Sequence, residues 1–180
     1  SDAEAWGDRE RFIGREGDGM LGAGSGGIRE GIQSMKSCYI FDIDGTLADG
    51  SHRLHWIHPR PAKDWRAYFA EVIRDEPIQH IIDIARTLTR NAPVILVSGR
   101  SDECREDTIA WLEIFQVPCS ALYMRKAGDH RNDDVLKSEI LDQILADGWK
   151  PIMAFDDRDR VVKMWRSRGV PCAQVAEGNF

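Results

Sequence analysis

Two aspartates separated by a single residue follow a short apolar run. Residues 39–41 read Tyr-Ile-Phe, and the chain continues with Asp42, Ile43, Asp44 and Gly45. A carboxylate is costly to bury unless a cation or hydrogen-bond donors compensate its charge. Two acids at the end of a buried strand would therefore suit a cation-dependent reaction. The alternative is a polar turn without chemistry, because Asp and Gly both favour turns.

Further polar groups in the chain occupy similar places. Ser98 and Arg100 follow the apolar run "PVILV", and Asp156 and Asp157 close the run "KPIMAF". Lys137 lies early in a helical pattern that follows "RNDD". Each of these residues has an ordinary explanation by itself, as part of a loop or an exposed helix. Their order along the chain, at the ends of successive strands, favours one shared site.

The elements that would position these residues alternate along the chain. The runs "CYIFDI", "PVILVSG" and "KPIMAFDD" are short and apolar, as buried parallel strands are. Shorter runs at 119–123 and 172–175 would add strands, and helical apolar spacing lies between the runs. Strand alternating with helix predicts an α/β fold with a parallel sheet covered on both faces. Ligands bind such sheets at the carboxyl ends of the strands, where the polar groups lie.

Length and composition agree with one soluble domain and a short appendage. The 180 residues are 42% hydrophobic and 30% charged, and the net charge of −6 argues against a general nucleic-acid coat. No apolar run approaches the about 20 residues of a membrane span, and no signal peptide is evident. The four cysteines lack zinc-site spacing, which favours reduced thiols and a cytoplasmic location.

The first part of the chain has a different composition. Residues 1–34 hold nine of the sixteen glycines, with "GDGMLGAGSGG" at 17–27. No strand precedes this run and no Gly-Lys-Ser/Thr closes it, so it does not predict a phosphate-binding loop. We expect residues 1–36 to form a flexible extension and residues 37–180 to form the folded domain.

The ordered set of motifs resembles the haloacid dehalogenase superfamily of phosphotransferases. The resemblance implies a Rossmann-like, three-layer α/β/α parallel sheet with a small cap insertion after the first strand. It implies that Asp42 attacks phosphorus to form an aspartyl-phosphate and that Asp44 serves as acid and base. Ser98 and Lys137 would bind and neutralise the phosphate. Mg²⁺ would bind Asp42, the backbone carbonyl of Asp44, and the pair Asp156 and Asp157.

Longer stretches are similar to the phosphatase domains of bacteriophage polynucleotide kinase-phosphatases. They are "FDIDGTLA", "VSGRSDECREDTIAWL", "MRKAGDHRNDDVLKSEIL" and "DDRDRVVKMWRSRGVPCAQVAEGNF". This similarity implies removal of a 3′-phosphate from DNA or RNA ends. It assigns substrate binding to Thr46, Arg53, Gly99, Arg100 and Arg125. Asp129, Arg131 and Asp133 would either share that role or hold the loop that presents Lys137.

Other functions remain compatible with the same residues. One is a small-molecule phosphatase such as a nucleotidase, and another is a domain that only binds phosphorylated ends. The chain holds no Walker-type Gly-Lys-Ser/Thr motif, so 5′-phosphorylation is not supported and a kinase or ligase would be a separate partner. Oligomeric state is left open by the sequence.

The segment from Gly50 to Pro77 predicts a modest cap beside the site. The segment holds four aromatic residues, Trp56, Trp65, Tyr68 and Phe69. They would either stack on a nucleobase or belong to the core, and we expect a core position. The segment also holds three histidines, His52, His55 and His58. They would either bind a metal or form a solvated or substrate-facing cluster. The second alternative is favoured because no nearby Cys or acid completes a set of zinc ligands.

Overall fold

The computed structural model describes residues 35–58 and 62–179. The expectation of a flexible extension over residues 1–36 lies almost wholly outside these residues. Lys36 already begins the first strand, and the contacts of the chain group residues 33–180 into one compact unit. Within the described ranges, no helix is both long enough and apolar enough to cross a membrane.

Within the described residues, seven strands form two sheets. In chain order they are β1 (Lys36–Phe41), β2 (Ala48–Asp49), β3 (Glu76–Pro77), β4 (Val94–Ser101), β5 (Ala121–Arg125), β6 (Trp149–Asp156) and β7 (Cys172–Gln174). Five of them form a parallel sheet in the order β5-β4-β1-β6-β7. The remaining two, β2 and β3, pair antiparallel. The predicted strands and the two shorter additions are confirmed.

In the same part of the chain, five α-helices lie between the strands. They are α1 (Trp65–Ala70), α2 (Gln79–Leu88), α3 (Arg105–Ile114), α4 (Asp133–Ala146) and α5 (Asp159–Ser167). Alternate residues of β1 belong to different apolar clusters, as the two-residue period of a strand requires. Cys38 and Ile40 pack with α4 and α5, whereas Tyr39 and Phe41 pack with α2 and α3. The three-layer α/β/α fold is therefore confirmed.

The predicted cap is a small insertion after β1. Pairing of Ala48 with Pro77 and of Asp49 with Glu76 closes its base. Between these strands lie α1 and two short 3₁₀ helices, Ser51–Trp56 and Val72–Arg74. The insertion thus begins directly beyond the Asp42–Asp44 turn, which places its residues beside the carboxyl end of β1.

The aromatic residues of α1 correct one expectation. Trp65 is 43% exposed, and Tyr68 and Phe69 are only partly buried. The rings pack on one another, with ring centroids 5.4–5.9 Å apart, and neither core cluster includes them. The expectation that they are core residues is wrong, because the six residues of α1 bury no side chain fully.

Candidate active site

The first cluster of the site is centred on Lys137. This lysine belongs to the buried face of α4, with Leu136, Ile140 and Leu141. Its Nζ donates to Asp42 Oδ1 at 2.6 Å and to Asp156 Oδ2 at 2.7 Å. Asp42 directly follows β1 and Asp156 ends β6, and these two strands are neighbours in the sheet. The fold therefore brings together three residues that the sequence placed in separate motifs.

Charge balance holds Lys137 in its protonated form. Burial alone would lower the pKa of this ammonium group, but the carboxylates of Asp156 and Asp42 outweigh burial and raise the pKa well above its usual value. Trp165 of α5 donates from Nε1 to Asp156 Oδ2 at 3.4 Å. Lys137 is thus a permanent positive charge between two buried acids.

Three carboxylates form a group that fits a hard cation. Oxygen atoms of Asp42, Asp156 and Asp157 lie within 4.8 Å of one another. Burial and the neighbouring acids raise the pKa of Asp42 despite Lys137, and burial with Asp156 raises the pKa of Asp157 to about 6. The acids outnumber the one lysine between them, and oxygen donors are the ligands that Mg²⁺ prefers. The donor set is therefore suitable for Mg²⁺.

The turn after β1 packs directly on this acidic group. Gly45 has φ +81°, and a Cβ atom there would lie 2.3 Å from Asp157 Oδ2. Any larger residue would displace the Asp157 carboxylate, in addition to the strain of a positive φ. The glycine of the "DIDGT" motif is therefore required by the approach of the acid, not only by the turn.

The second cluster surrounds Asp44. Arg53 Nη2 donates to Asp44 Oδ1 at 2.5 Å, and Arg100 donates to the same carboxylate from Nη2 at 2.8 Å and from Nε at 3.0 Å. Both arginines are buried, whereas the side chain of Asp44 is 33% exposed. Asp44 thus lies at the mouth of the site, with its carboxylate held from two sides.

The arginines determine the protonation of Asp44. Burial by itself would raise its pKa, but Arg100 and then Arg53 outweigh burial and lower the pKa to about 2. Asp44 is therefore ionised at neutral pH while both arginines remain on it. A role as general acid requires that at least one arginine move its hydrogen bonds elsewhere.

Asp75 binds both arginines. The sequence analysis did not predict this residue. Its carboxylate accepts from Arg53 Nε at 2.7 Å and from Arg100 Nη2 at 2.6 Å, and its backbone carbonyl accepts from Trp111 Nε1 at 2.7 Å. Asp75 is fully buried just before β3. Asp44 and Asp75 therefore form a four-membered network with the two arginines.

Replacing Asp75 with asparagine tests this network. The change leaves Arg53 and Arg100 buried with one carboxylate fewer, so we expect the free energy of unfolding to fall by about 3–5 kcal/mol. The misplaced arginines should lower kcat/KM by about a hundredfold. Denaturant unfolding measures the first effect, and an assay of the phosphatase activity that the sequence resemblance implies measures the second. The control is Asp83→Asn, whose exposed pair with Arg86 should matter by less than about 1 kcal/mol; equal effects of both variants would contradict the network.

Three of the predicted phosphate contacts lie at the ends of β1 and β4. Ser98 is buried, and its Oγ accepts from the backbone N of Arg100 at 3.2 Å. A Cβ on Gly99 would lie 3.0 Å from Asp133 Oδ1, so this glycine admits the first residue of α4. Thr46 is fully buried, and its hydroxyl has no hydrogen-bond partner among the described residues. Their contacts with substrate stay predictions.

Arg125 belongs to neither cluster. It donates to the backbone carbonyls of Gly99, Asp129 and Arg131 at 2.9, 3.2 and 2.8 Å, and it pairs with Asp133. Asp133 also pairs with Arg158. These contacts fasten the loop that leads into α4, which favours the loop-holding role for this segment. The predicted contact of Arg125 with substrate stays a prediction.

The histidines of the cap divide into two groups. The ring nitrogens of His52 lie 3.0 Å from Asp75 Oδ1 and 3.6 Å from Glu71 Oε2, so His52 borders the arginine network. His55 and His58 are exposed. Across the described ranges, the only group of three or more residues suited to a metal is that of Asp42, Asp156 and Asp157. The solvated or substrate-facing role of these histidines stays a prediction.

Residues 36–180 match the family model of the polynucleotide kinase PNKP phosphatase domain. The chain belongs to this family. The resemblance seen in the sequence is therefore confirmed, and the two clusters lie within the phosphatase domain of the family.

Two relatives are each 29% identical to this chain over the residues that align with it. A protein of Autographa californica nuclear polyhedrosis virus, assigned as a bifunctional polynucleotide kinase/RNA ligase, is 29% identical over 133 residues, or 72% of this chain and 18% of its own. A chain in the structure of a Pnkp1/Rnl/Hen1 complex is 29% identical with a TM-score of 0.69, over 82% of this chain and 48% of its own. The chain thus spans less than half the length of either relative.

More distant structures share the fold alone. A haloacid dehalogenase-like hydrolase of Streptococcus pneumoniae has a TM-score of 0.56 at 16% identity, over 79% of this chain and 85% of its own. A class C acid phosphatase of Bacillus anthracis has a TM-score of 0.53 at 14% identity, over 79% of this chain and 69% of its own. The three-layer sheet is therefore of the haloacid dehalogenase type.

Proposed function

We propose that the protein is a Mg²⁺-dependent phosphomonoesterase that removes the 3′-phosphate from DNA or RNA ends through an aspartyl-phosphate. The observation that carries this proposal is the contact of Lys137 with both Asp42 and Asp156 at 2.6 and 2.7 Å, beside Asp157. A nucleophilic carboxylate, a fixed ammonium group and a cation-binding pair of acids are the components that phosphoryl transfer needs. Membership of the polynucleotide kinase phosphatase family supports the nucleic-acid substrate.

In the first step, a carboxylate oxygen of Asp42 forms a bond to phosphorus while the bond to the 3′-oxygen breaks. Lys137 keeps Asp42 oriented and balances charge on the phosphoryl oxygens, and Ser98 donates a hydrogen bond to one of them. Asp44 protonates the departing oxygen. In the second step, Asp44 takes a proton from water, whose oxygen attacks phosphorus, and the Asp42 carboxylate leaves.

Binding of the substrate phosphate would also change the protonation of Asp44. Arg53 and Arg100 keep this carboxylate ionised, with a pKa of about 2. A phosphate dianion competes for their guanidinium groups, because planar Arg donors match phosphate oxygens as well as carboxylate oxygens. Loss of one arginine raises the pKa of Asp44, so substrate binding itself would prepare the general acid.

Asp42, Asp156 and Asp157, with the backbone carbonyl of Asp44, would hold Mg²⁺. When bound, the ion reduces the repulsion between the Asp42 carboxylate and the phosphate dianion. The relatives support a function together with other end-processing enzymes. The viral relative is assigned kinase and ligase activities, and the structural relative is found in a complex with Rnl and Hen1. We accordingly propose that the protein acts in the cytoplasm with a kinase or a ligase as its partner.

A substrate panel tests this function. It compares a 3′-phosphorylated oligonucleotide, its 5′-phosphorylated counterpart, 3′- and 5′-mononucleotides, and a generic aryl phosphate. We expect the highest kcat/KM for the 3′-phosphorylated oligonucleotide, complete loss of activity in excess chelator, and recovery with added Mg²⁺. Equal or better turnover of free nucleotides would show a nucleotidase instead, and unchanged activity in chelator would contradict the mechanism.

A further inference from the structure

The cap carries a cluster of aromatic rings on its surface. This aromatic platform consists of Trp65, Tyr68 and Phe69 of α1. The rings of Trp65 and Phe69 lie 5.9 Å apart and within 25° of parallel, and Tyr68 meets each edge-on at 5.6 and 5.4 Å. Asp64 caps the helix by accepting from the backbone N of Ala67 at 2.9 Å. The platform is therefore preformed on a helix that buries no residue fully.

The exposure of the platform needs an explanation. Trp65 is 43% exposed, and it lies apart from both core clusters. A large ring held on the surface in contact with two other rings marks a binding surface more often than a scattered apolar residue does. Lys63 Nζ lies 5.5 Å from the Trp65 ring centroid, so a positive charge borders the exposed ring. This combination suits a flat aromatic partner that carries negative charge nearby.

The platform is connected to the reacting centre by one side chain. The Tyr68 ring packs on the guanidinium of Arg53, with Cζ 4.1 Å from the ring centroid. The same guanidinium donates to Asp44 at 2.5 Å and to Asp75 at 2.7 Å. Arg53 Nη1 is buried and has no hydrogen-bond partner among the described residues. Through Arg53, the platform is therefore linked to the Asp44 carboxylate by a single side chain.

We infer that Trp65, supported by Phe69, stacks the nucleobase of the nucleotide that carries the phosphate. This inference rests on the proposed function and specifies how the enzyme distinguishes a nucleic-acid end from other phosphate esters. Every base has a π-face, so stacking on a tryptophan selects nucleotides without reading sequence. Tyr68 contacts Arg53 and positions the platform against the arginine network. Lys63 balances the backbone phosphate on the other side of the base.

The test compares base-bearing and abasic substrates. One oligonucleotide carries its 3′-phosphate on an ordinary nucleotide, and the other, of the same sequence, carries it on an abasic sugar. Trp65→Ala should lower kcat/KM for the ordinary end by about 5- to 150-fold and change that for the abasic end by less than about twofold. Trp65→Phe should retain most of the activity. Ile114→Ala, at an exposed position at the far end of α3, is the control and should change neither value.

A second readout does not depend on turnover. In the Asp42→Asn background, a 3′-phosphorylated oligonucleotide should quench tryptophan fluorescence, and Trp65→Phe should remove most of that quench. An equal fall of Trp65→Ala on both substrates would overturn the inference, since it would show a structural role for the ring. The inference would also be overturned if Trp65→Ala left kcat/KM unchanged for both substrates. Fluorescence quenching that persists in the Trp65→Phe protein would overturn it as well.

The two proposals fail in different ways. Better turnover of free nucleotides than of oligonucleotides by the wild type would overturn the 3′-end function alone. The stacking contrast would then be measured between a mononucleotide and the matching sugar phosphate. A wild type with no preference for base-bearing over abasic ends overturns stacking while leaving the 3′-end function intact. Binding of a protein segment to the platform, without any effect of the nucleobase, would also count against stacking.

Discussion

Replacement of Asp42 with asparagine is expected to abolish turnover of a 3′-phosphorylated oligonucleotide while the protein stays folded. An amide cannot form the acyl phosphate, and loss of a nucleophile lowers kcat by more than about a thousandfold. Asparagine preserves the shape of the side chain, and Lys137 keeps its contact with Asp156 at 2.7 Å. Steady-state assays and thermal unfolding measure the two effects.

The stability of the Asp42→Asn protein has a predictable sign. Burial and the neighbouring acids raise the pKa of Asp42 in the folded state, so its ionised form destabilises the fold at neutral pH. A group with a raised folded-state pKa contributes stability at low pH that is lost as the pH rises. Asparagine resembles the protonated form, so we expect the Tm at neutral pH to equal or exceed that of the wild type. Turnover above about a tenth of the wild-type value would contradict a nucleophilic role.

The sheet was predictable because buried parallel strands leave a strong local signal. The runs at 38–43, 93–99 and 150–157 correspond to β1, β4 and β6 within one or two residues. Such runs are apolar throughout because both faces of the strand are covered. The alternation of strands and helices then fixed the layers and the edge of the sheet at which the acids meet.

The cluster of Lys137 was predictable in part for the same reason. Each of its acids ends a strand, and the carboxyl ends of neighbouring parallel strands meet at one edge. Lys137 itself required the family resemblance, because a lysine at a buried helix position has no local signal of its own. The structure shows that it shares a face of α4 with Ile140 and Leu141.

The network around Asp75 was not predictable from local pattern. Asp75 lies in the polar stretch "RDEP", which has the composition of an exposed turn. Its partners Arg53 and Arg100 are 22 and 25 residues distant along the chain. The charge compensation that permits its burial exists only after the cap closes on β4. The core placement expected for the aromatic residues of α1 was wrong for a similar reason, because composition does not distinguish a ring in the core from one on a surface helix.

Replacement of Lys137 with methionine is expected to remove activity and to destabilise the fold. The change keeps an unbranched side chain, one atom shorter than that of lysine, and leaves Asp42, Asp156 and Asp157 buried without the neighbouring cation. Removal of one partner of a buried ion pair costs about 3–5 kcal/mol, so we expect the free energy of unfolding to fall by that amount. Denaturant unfolding measures the loss. Lys163→Met is the matched control, because this exposed lysine of α5 should matter by less than about 0.5 kcal/mol.

Two conditions should recover part of the stability of the Lys137→Met protein. The proposed Mg²⁺ would bind the folded state only, so adding it should raise the Tm of this variant more than that of the wild type. Acid should act in the same direction. The pKa of Asp42 is raised and that of Asp157 is about 6 even with Lys137 present, so the folded state binds protons more strongly than the unfolded state. The loss in the free energy of unfolding relative to the wild type should therefore become smaller as the pH falls from about 8 to about 5. A loss that depends on neither Mg²⁺ nor pH would mean that Lys137 contributes packing and not charge.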